Sequence, residues 1–181
     1  MMKEKLPKTY QWLEKEKFPY ILRQALSFYG FAEAHGTADN PLILEWAKEV
    51  GDYLGAPYKH DSEAWCGLFM ALCAHRAGYT PPKISLRAKE WLKFGKPSQR
   101  PKLGDIMIFT RKGGGHVGLY VGEDKACYHI LGGNQGDRVS IMRIEKARFL
   151  DCRECDWKIA RPNTLRPIFL DNDGEISHNE N

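Results

Sequence analysis

No apolar run in this chain approaches the roughly 20 consecutive side chains that a membrane-spanning helix requires, which excludes such a span. No block of five or more Lys or Arg occurs either, so nothing marks a nucleic-acid surface. Residues 1–20 carry Lys3, Lys5, Lys8, Lys15 and Lys17 but no uninterrupted apolar core, and do not read as a secretory signal. Internal repeats and low-complexity tracts are absent. Cysteine is sparse. Cys66, Cys73, Cys127, Cys152 and Cys155 are odd in number and irregular in spacing, which excludes a disulfide framework and points to synthesis in a reducing compartment. Cys152-x-x-Cys155 has no second pair at zinc-finger spacing, so it reads as ordinary thiols or a local disulfide, and no metal is expected.

The composition that remains is ordinary for a globular chain: 43% hydrophobic, 28% charged, with 27 basic and 23 acidic side chains for a net charge of +4. So mild an excess favours approach to an anionic surface without requiring one. A length of 181 residues suits one domain with tails.

Residues 1–20, broken by Pro7 and Pro19, read as a short helical arm. Helices are expected from 19 or 20 to about 29, and from Pro41, with Asn40 as N-cap, to a stop at Gly51. The strongest helix spans 64–77, ended by Gly78, and a short one follows at 85–92. Residues 95–101 read as loop. Beyond residue 102 the pattern changes to strands at 105–110, 116–121, 126–131 and 139–143, with 158–161 as a further candidate. The polar tail from Asn172 is expected to be disordered. Helices first and strands second predict an α+β fold, with N-terminal helices packed on a C-terminal antiparallel β-sheet.

Cysteine-dependent hydrolysis needs a thiol with a depressed pKa, a histidine in reach of it, and a polar group that fixes the imidazole. Cys66 opens the strong helix, where unpaired N–H groups and partial positive charge favour thiolate. The bland alternative is a buried helix cysteine, which is how Cys73 reads. His116 starts a strand directly after Gly113, Gly114 and Gly115 and is the best general base; a surface turn histidine is the alternative. His75 falls on the opposite face of the cysteine helix at about 100° per residue. His35 lies in a loop and His178 in the tail. His60 reads as a turn residue that could line the site, and His129 as a core or supporting residue. Asn134, 18 residues beyond His116 after an intervening hairpin, is the candidate for the third role, with Gln135 its obvious substitute and a plain turn asparagine the alternative. Trp65, Gly115 and Gln135 are the candidates for substrate contact, with core packing the other reading of Trp65.

These residues stand in blocks that resemble the CHAP-type amidohydrolase/peptidase family, related to NlpC-like and papain-like enzymes. The blocks are Trp65-Cys-Gly-Leu-Phe69, Leu103-Gly-Asp-Ile106, Gly115-His-Val-Gly-Leu-Tyr-Val-Gly122 and Leu131-Gly-Gly-Asn-Gln135. Tyr29-Gly-Phe-Ala-Glu33, His35-Gly36, Asn40-Pro41 and Arg161-Pro162 look like a small bacterial and phage subgroup of wall hydrolases. The likeness spans roughly residues 20–162. It implies a papain-like fold, with Cys66 as nucleophile, His116 as base and Asn134 as orienting residue. It also implies cleavage of an amide in peptidoglycan through a thioester, with no cofactor. The enzyme would be an N-acetylmuramoyl-L-alanine amidase or a stem or cross-bridge endopeptidase. Where papain-type enzymes place an oxyanion-hole glutamine, six residues before the cysteine, this chain has His60, so the N–H of Cys66 is the donor that remains. Rival readings are an acyltransferase or deamidase acting on protein, and a catalytically silent wall-binding module. The implied organisation is an arm at 1–19, a catalytic domain at 20–162 and a tail at 163–181. A monomer is expected, made in the cytoplasm without a signal peptide and reaching the wall by lysis, a holin or a secretion machine. It would then be an endolysin or an effector, the latter with an immunity protein.

Overall fold

The computed structural model describes residues 4–33, 39–158, 166–171 and 176–177. A 3-10 helix, Lys8–Lys15, precedes α1 (Tyr20–Ser27), α2 (Pro41–Glu49), α3 (Gly51–Leu54) and α4 (Cys66–Arg76). A second 3-10 helix, Ala88–Lys93, leads to β1 (Lys96–Pro97), β2 (Ile106–Arg111), β3 (Gly114–Glu123), β4 (Cys127–Gly132) and β5 (Ser140–Glu145). A short 3-10 turn, Lys146–Arg148, is followed by β6 (Phe149–Glu154) and β7 (Ile176–Ser177).

Local chemistry sets the start of α2. The Asn40 side chain accepts from the Leu42 N–H at 3.0 Å, and Pro41 fills the first helical position, where its missing donor is no loss. Helix α2 ends at Glu49 with Val50 as its C-cap, and Gly51, expected as the stop, opens the single turn α3. Helix α4 is the central rod of the core. Every residue from Cys66 to Ala74 is buried, which is why it lacks a polar face. At its C-terminal turn, where a cation suits the helix dipole, Arg76 donates from Nε and Nη2 to the two carboxylate oxygens of Glu49 at 2.8 and 2.6 Å.

The strands form one sheet in the order β1-β6-β2-β3-β4-β5-β7, antiparallel throughout except that β7 runs parallel to β5. The fold is therefore α+β, with helices N-terminal and strands C-terminal. Alternation along the strands divides the sheet's side chains. Ile106, Ile108, Val117, Leu119 and Val121 join the helical core, while Met107, Phe109, Tyr120, Ile130 and Ile144 form a second cluster capped by Tyr128 and Phe149.

Two strands lie beyond the four that alternation predicts for the meander: β6 fills the edge beside β2, and β1 falls where 95–101 reads as loop. The candidate strand at 158–161 lies outside the described residues apart from Lys158, as does Arg161. The C-terminal segment returns to the sheet: Ile168 and Leu170 bond the backbone of Glu123 at 2.7 and 2.8 Å. Of the tail beyond Asn172, only Ile176–Ser177 is described, as β7.

The N-terminal segment is part of the core, not an appended arm. Leu6, Tyr10 and Leu13 are buried among the helices. The Tyr10 hydroxyl is hydrogen-bonded to Nδ1 of His129 at 2.7 Å, and Nε2 of His129 bonds Asp124 Oδ2 at 2.9 Å. Arg143 Nε donates to the same oxygen at 2.7 Å. Burial alone would raise the Asp124 pKa, but Arg143, His129 and the N–H groups of Ala126 and Cys127 outweigh it and hold the carboxyl well below its usual range. Among the described residues, no helix is long and apolar enough to cross a membrane.

Asp105, just before β2, behaves oppositely. Burial pushes its pKa from 3.8 up to about 6, even though its Oδ2 accepts from the Lys102 N–H at 3.0 Å. The folded chain thus holds this proton more tightly than the unfolded chain. The resulting stability is fully present below pH 3.8 and is lost as pH rises through about 6. Asp105→Asn should therefore raise stability at pH 7.5 by up to about 3 kcal/mol and leave it nearly unchanged at pH 4. Urea melts at both pH values would test this; an equal change at the two would refute it.

Candidate active site

Cys66 is the first residue of α4 and is only 3% exposed. Trp65, the N-cap residue, supplies no side-chain cap, and the first turn contains no acidic residue. No carboxylate at the helix start therefore competes with a thiolate for the first-turn N–H groups.

His116 is the third residue of β3, opposite Phe109 of β2, and is fully buried. Its Nε2 lies 2.9 Å from Oε1 of Gln135. The Gln135 amide nitrogen donates to the carbonyls of Ile130 and Ser140 at 3.1 and 2.6 Å. Flipping that amide would set oxygen against two carbonyl oxygens, so its orientation is fixed. Oε1 faces the ring, and Nε2 of His116 carries the proton that bonds it. In the neutral imidazole the basic lone pair then belongs to Nδ1.

Helix α4 packs against β3, and one groove of about 360 Å³ opens beside Cys66. Cys66 and Ala64 line it on the helix side, Gly113, Gly114 and Gly115 on the strand side, and residues 86–89 along its length. Two glycines hold this segment in place. A Cβ on Gly67 would fall on the carbonyl oxygen of Ser85, and one on Gly115 would stand 3.2 Å from the Ala88 Cβ. The residue after Cys66 and the residue before His116 thus both touch the strip of chain between them.

The structure redistributes the expected roles. Asn134 does not meet the imidazole; it takes a left-handed turn conformation, φ 57°, and the next side chain, Gln135, makes that contact. Gln135 is itself fully buried, so it supports the histidine instead of meeting substrate. Trp65 is not a cleft wall. Its indole is fully buried against Phe31, Trp46 and Phe69, and its Nε1 donates to Glu33. Gly115 does line the groove. His60 is turned away toward Asp39, with 3.1 Å between Nδ1 and Oδ2. His75 is exposed beside Tyr53 near the far end of α4, and His129 is the buried pin of the N-terminal segment. His35 and His178 lie outside the described residues.

All five cysteines are buried thiols, but Cys66 alone sits at a helix start beside the groove. Burial pushes the pKa of Cys73, Cys127 and Cys152 up, and that of Cys155 up to about 12. The Asp105 carboxylate adds to the effect at Cys152, whose Sγ lies 3.5 Å from Oδ2. These four are poor nucleophiles. Among the described residues, no three His, Cys, Asp or Glu side chains converge as metal ligands would.

Arg87, Lys89 and Arg111 also line the groove, and none of them stands out in the sequence. The available signal was their position. Arg111 ends β2 just before the glycine turn, and Arg87 and Lys89 flank the start of a 3-10 helix; charges in such places read by default as solvated surface. No family model matches the chain, and no curated protein matches it.

Proposed function

We propose that the chain is a cysteine-dependent amide hydrolase, papain-like in mechanism, acting on bacterial peptidoglycan. One observation carries the amide chemistry: Gln135, locked by two carbonyls, fixes the His116 tautomer so that Nδ1 is the base, while Cys66 opens α4 on the adjoining groove. The wall substrate rests on the resemblance of the motif blocks.

In the proposed reaction the Cys66 proton passes to Nδ1 of His116, and Sγ forms a bond to the amide carbonyl carbon. N–H groups at the start of α4 stabilise the oxyanion. The C–N bond breaks as His116 returns the proton to the leaving amine. Water, deprotonated by His116, then hydrolyses the thioester, releasing a carboxylic acid and restoring the thiol. Gln135 holds the ring throughout and stabilises the imidazolium by accepting from Nε2. The protein acts as a monomer, reaching the wall after lysis, through a holin or by a secretion machine; as an effector it would be paired with an immunity protein.

Purified sacculi and defined muropeptides, digested with the protein and weighed by mass spectrometry, test this. Each cut should add one water and yield one new amine, and pretreatment with iodoacetamide should stop it. Fragments that persist after complete thiol blockade would end the proposal. Products with unchanged chain length but altered amides would instead assign transfer or deamidation.

A further inference from the structure

Trp65, the residue before Cys66, is fully buried, so its indole N–H needs an acceptor inside the protein. Glu33 supplies it: its Oε1 accepts from Trp65 Nε1. The backbone N–H of the same Glu33 donates to the carbonyl of Asp137 at 2.8 Å, in the turn between β4 and β5 that carries Gln135. Just upstream, the Phe31 carbonyl accepts from the Val139 N–H at 2.7 Å, and the Gly30 N–H donates to the Val139 carbonyl at 3.0 Å. The turn also touches the indole directly. A Cβ on Gly133 would fall 2.5 Å from Trp65 Cζ3, whereas one on Gly132 would stand 2.9 Å from Gln135 Oε1 and 3.2 Å from His116 Nε2. Consecutive residues of this turn thus face the Trp65 ring and the His116–Gln135 bond. Burial raises the Glu33 pKa, the bond from Trp65 lowers it, and the charges of Asp137 and Asp61 raise it further. Electrostatics alone would not choose a carboxylate for this half-buried place; what Glu33 gains there is the indole.

We infer that Glu33 is a positioning residue: by holding the Trp65 indole against Gly133, it fixes the start of α4, and the Cys66 sulfur with it, relative to the strand and turn that hold His116 and Gln135. The inference rests on the proposed pairing of Cys66 with His116. Proton transfer within that pair demands a set separation, and a displacement of about 1 Å costs on the order of 10²-fold in rate. The nucleophile's helix and the Gln135 turn belong to different layers of the fold, and Glu33 bonds both, through its side chain to one and its backbone to the other.

Alkylation of Cys66 by iodoacetamide at pH 6, followed by mass spectrometry, reads the pair without a substrate. The parent should react at least roughly ten times faster than free cysteine, because the imidazole takes the thiol proton. Glu33→Ala removes the acceptor and should lose most of that advantage, while kcat on muropeptides falls about 10²-fold with KM little changed. Glu33→Gln keeps an oxygen acceptor on a side chain of the same length and should stay within about threefold of the parent in both measurements. Glu49→Ala is the control for general loosening. It removes the partner of Arg76 at the opposite end of α4, and should lower the melting temperature slightly while leaving the Cys66 rate within about twofold of the parent. Should Glu33→Ala not fold, Trp65→Phe breaks the same bond from the other partner and is read in the same way. A Cys66 rate unmoved by Glu33→Ala, or lowered as far by Glu33→Gln or Glu49→Ala, overturns the positioning role while leaving the hydrolase intact. A parent that alkylates fast but cuts no muropeptide removes the wall hydrolase, and the alkylation rates still decide Glu33. A parent Cys66 no faster than free cysteine overturns both.

Discussion

Cys66→Ala is expected to abolish release of wall fragments, a fall on the order of 10⁴-fold or more, while the melting temperature stays within a few degrees of the parent. The substitution keeps the Cβ and removes one sulfur at the first turn of α4, a packing loss of about 1 kcal/mol in a helix otherwise buried along its length. No other thiol can take over. Cys73 lies seven residues further along the same helix with its pKa raised by burial, and Cys127, Cys152 and Cys155 are held as thiols for the same reason. Cys73→Ala is the matching control. It removes the same atom from the same helix and should lower stability by about 1 kcal/mol with activity retained. Fragment release measured by mass spectrometry, together with thermal melts of both variants, separates the cases. Activity that survives in Cys66→Ala at more than a few percent, or that dies in a folded Cys73→Ala, would remove Cys66 from the nucleophile's place.

The places of Cys66 at a helix start and of His116 near the start of a strand were legible because both follow from local rules. One opens a continuous apolar helix, and the other follows a glycine turn at the start of an alternating strand. The hairpins from β2 to β5 were legible for the same reason. Strand β6 was not: Phe149-Leu-Asp-Cys-Arg-Glu154 buries only Cys152 fully and leaves Leu150 40% exposed, so its pattern matches neither a two-sided nor a one-sided strand. Its pairing with β2 is a choice made by the whole sheet. The side chain that meets the imidazole lies one position beyond the one expected, at Gln135 instead of Asn134. Asn134 and Gly136 both have positive φ, 57° and 66°, and such a turn redirects successive side chains in ways that spacing does not encode. Trp65 shows the same limit. Whether its indole faces cleft or core is settled by Phe31 and Trp46, which reach it from other elements.

Gln135→Leu is expected to lower kcat by roughly 10²- to 10³-fold with little change in KM. The leucine keeps the volume but removes an acceptor and two donors. His116 Nε2 loses the oxygen at 2.9 Å, so the ring is no longer held in the tautomer that presents Nδ1 as base. The carbonyls of Ile130 and Ser140 lose the amide that bonds them at 3.1 and 2.6 Å. Stranding such groups costs about 1–3 kcal/mol each, so stability falls as well, and a purely structural role would show that loss alone. Two readouts separate positioning from scaffolding. Gln135→Glu restores an acceptor toward His116, and its carboxylate favours the imidazolium. It should recover part of kcat and move the alkaline limb of the kcat/KM profile upward, although its second oxygen now faces the two carbonyls and keeps the variant less stable than the parent. Asn134→Gly, which suits the left-handed turn and leaves the Gln135 contact in place, should change kcat by no more than about threefold. If a folded Gln135→Leu protein turns over at the parent rate, or Gln135→Glu leaves the alkaline limb where it was, the glutamine is part of the framework and His116 takes its orientation from elsewhere.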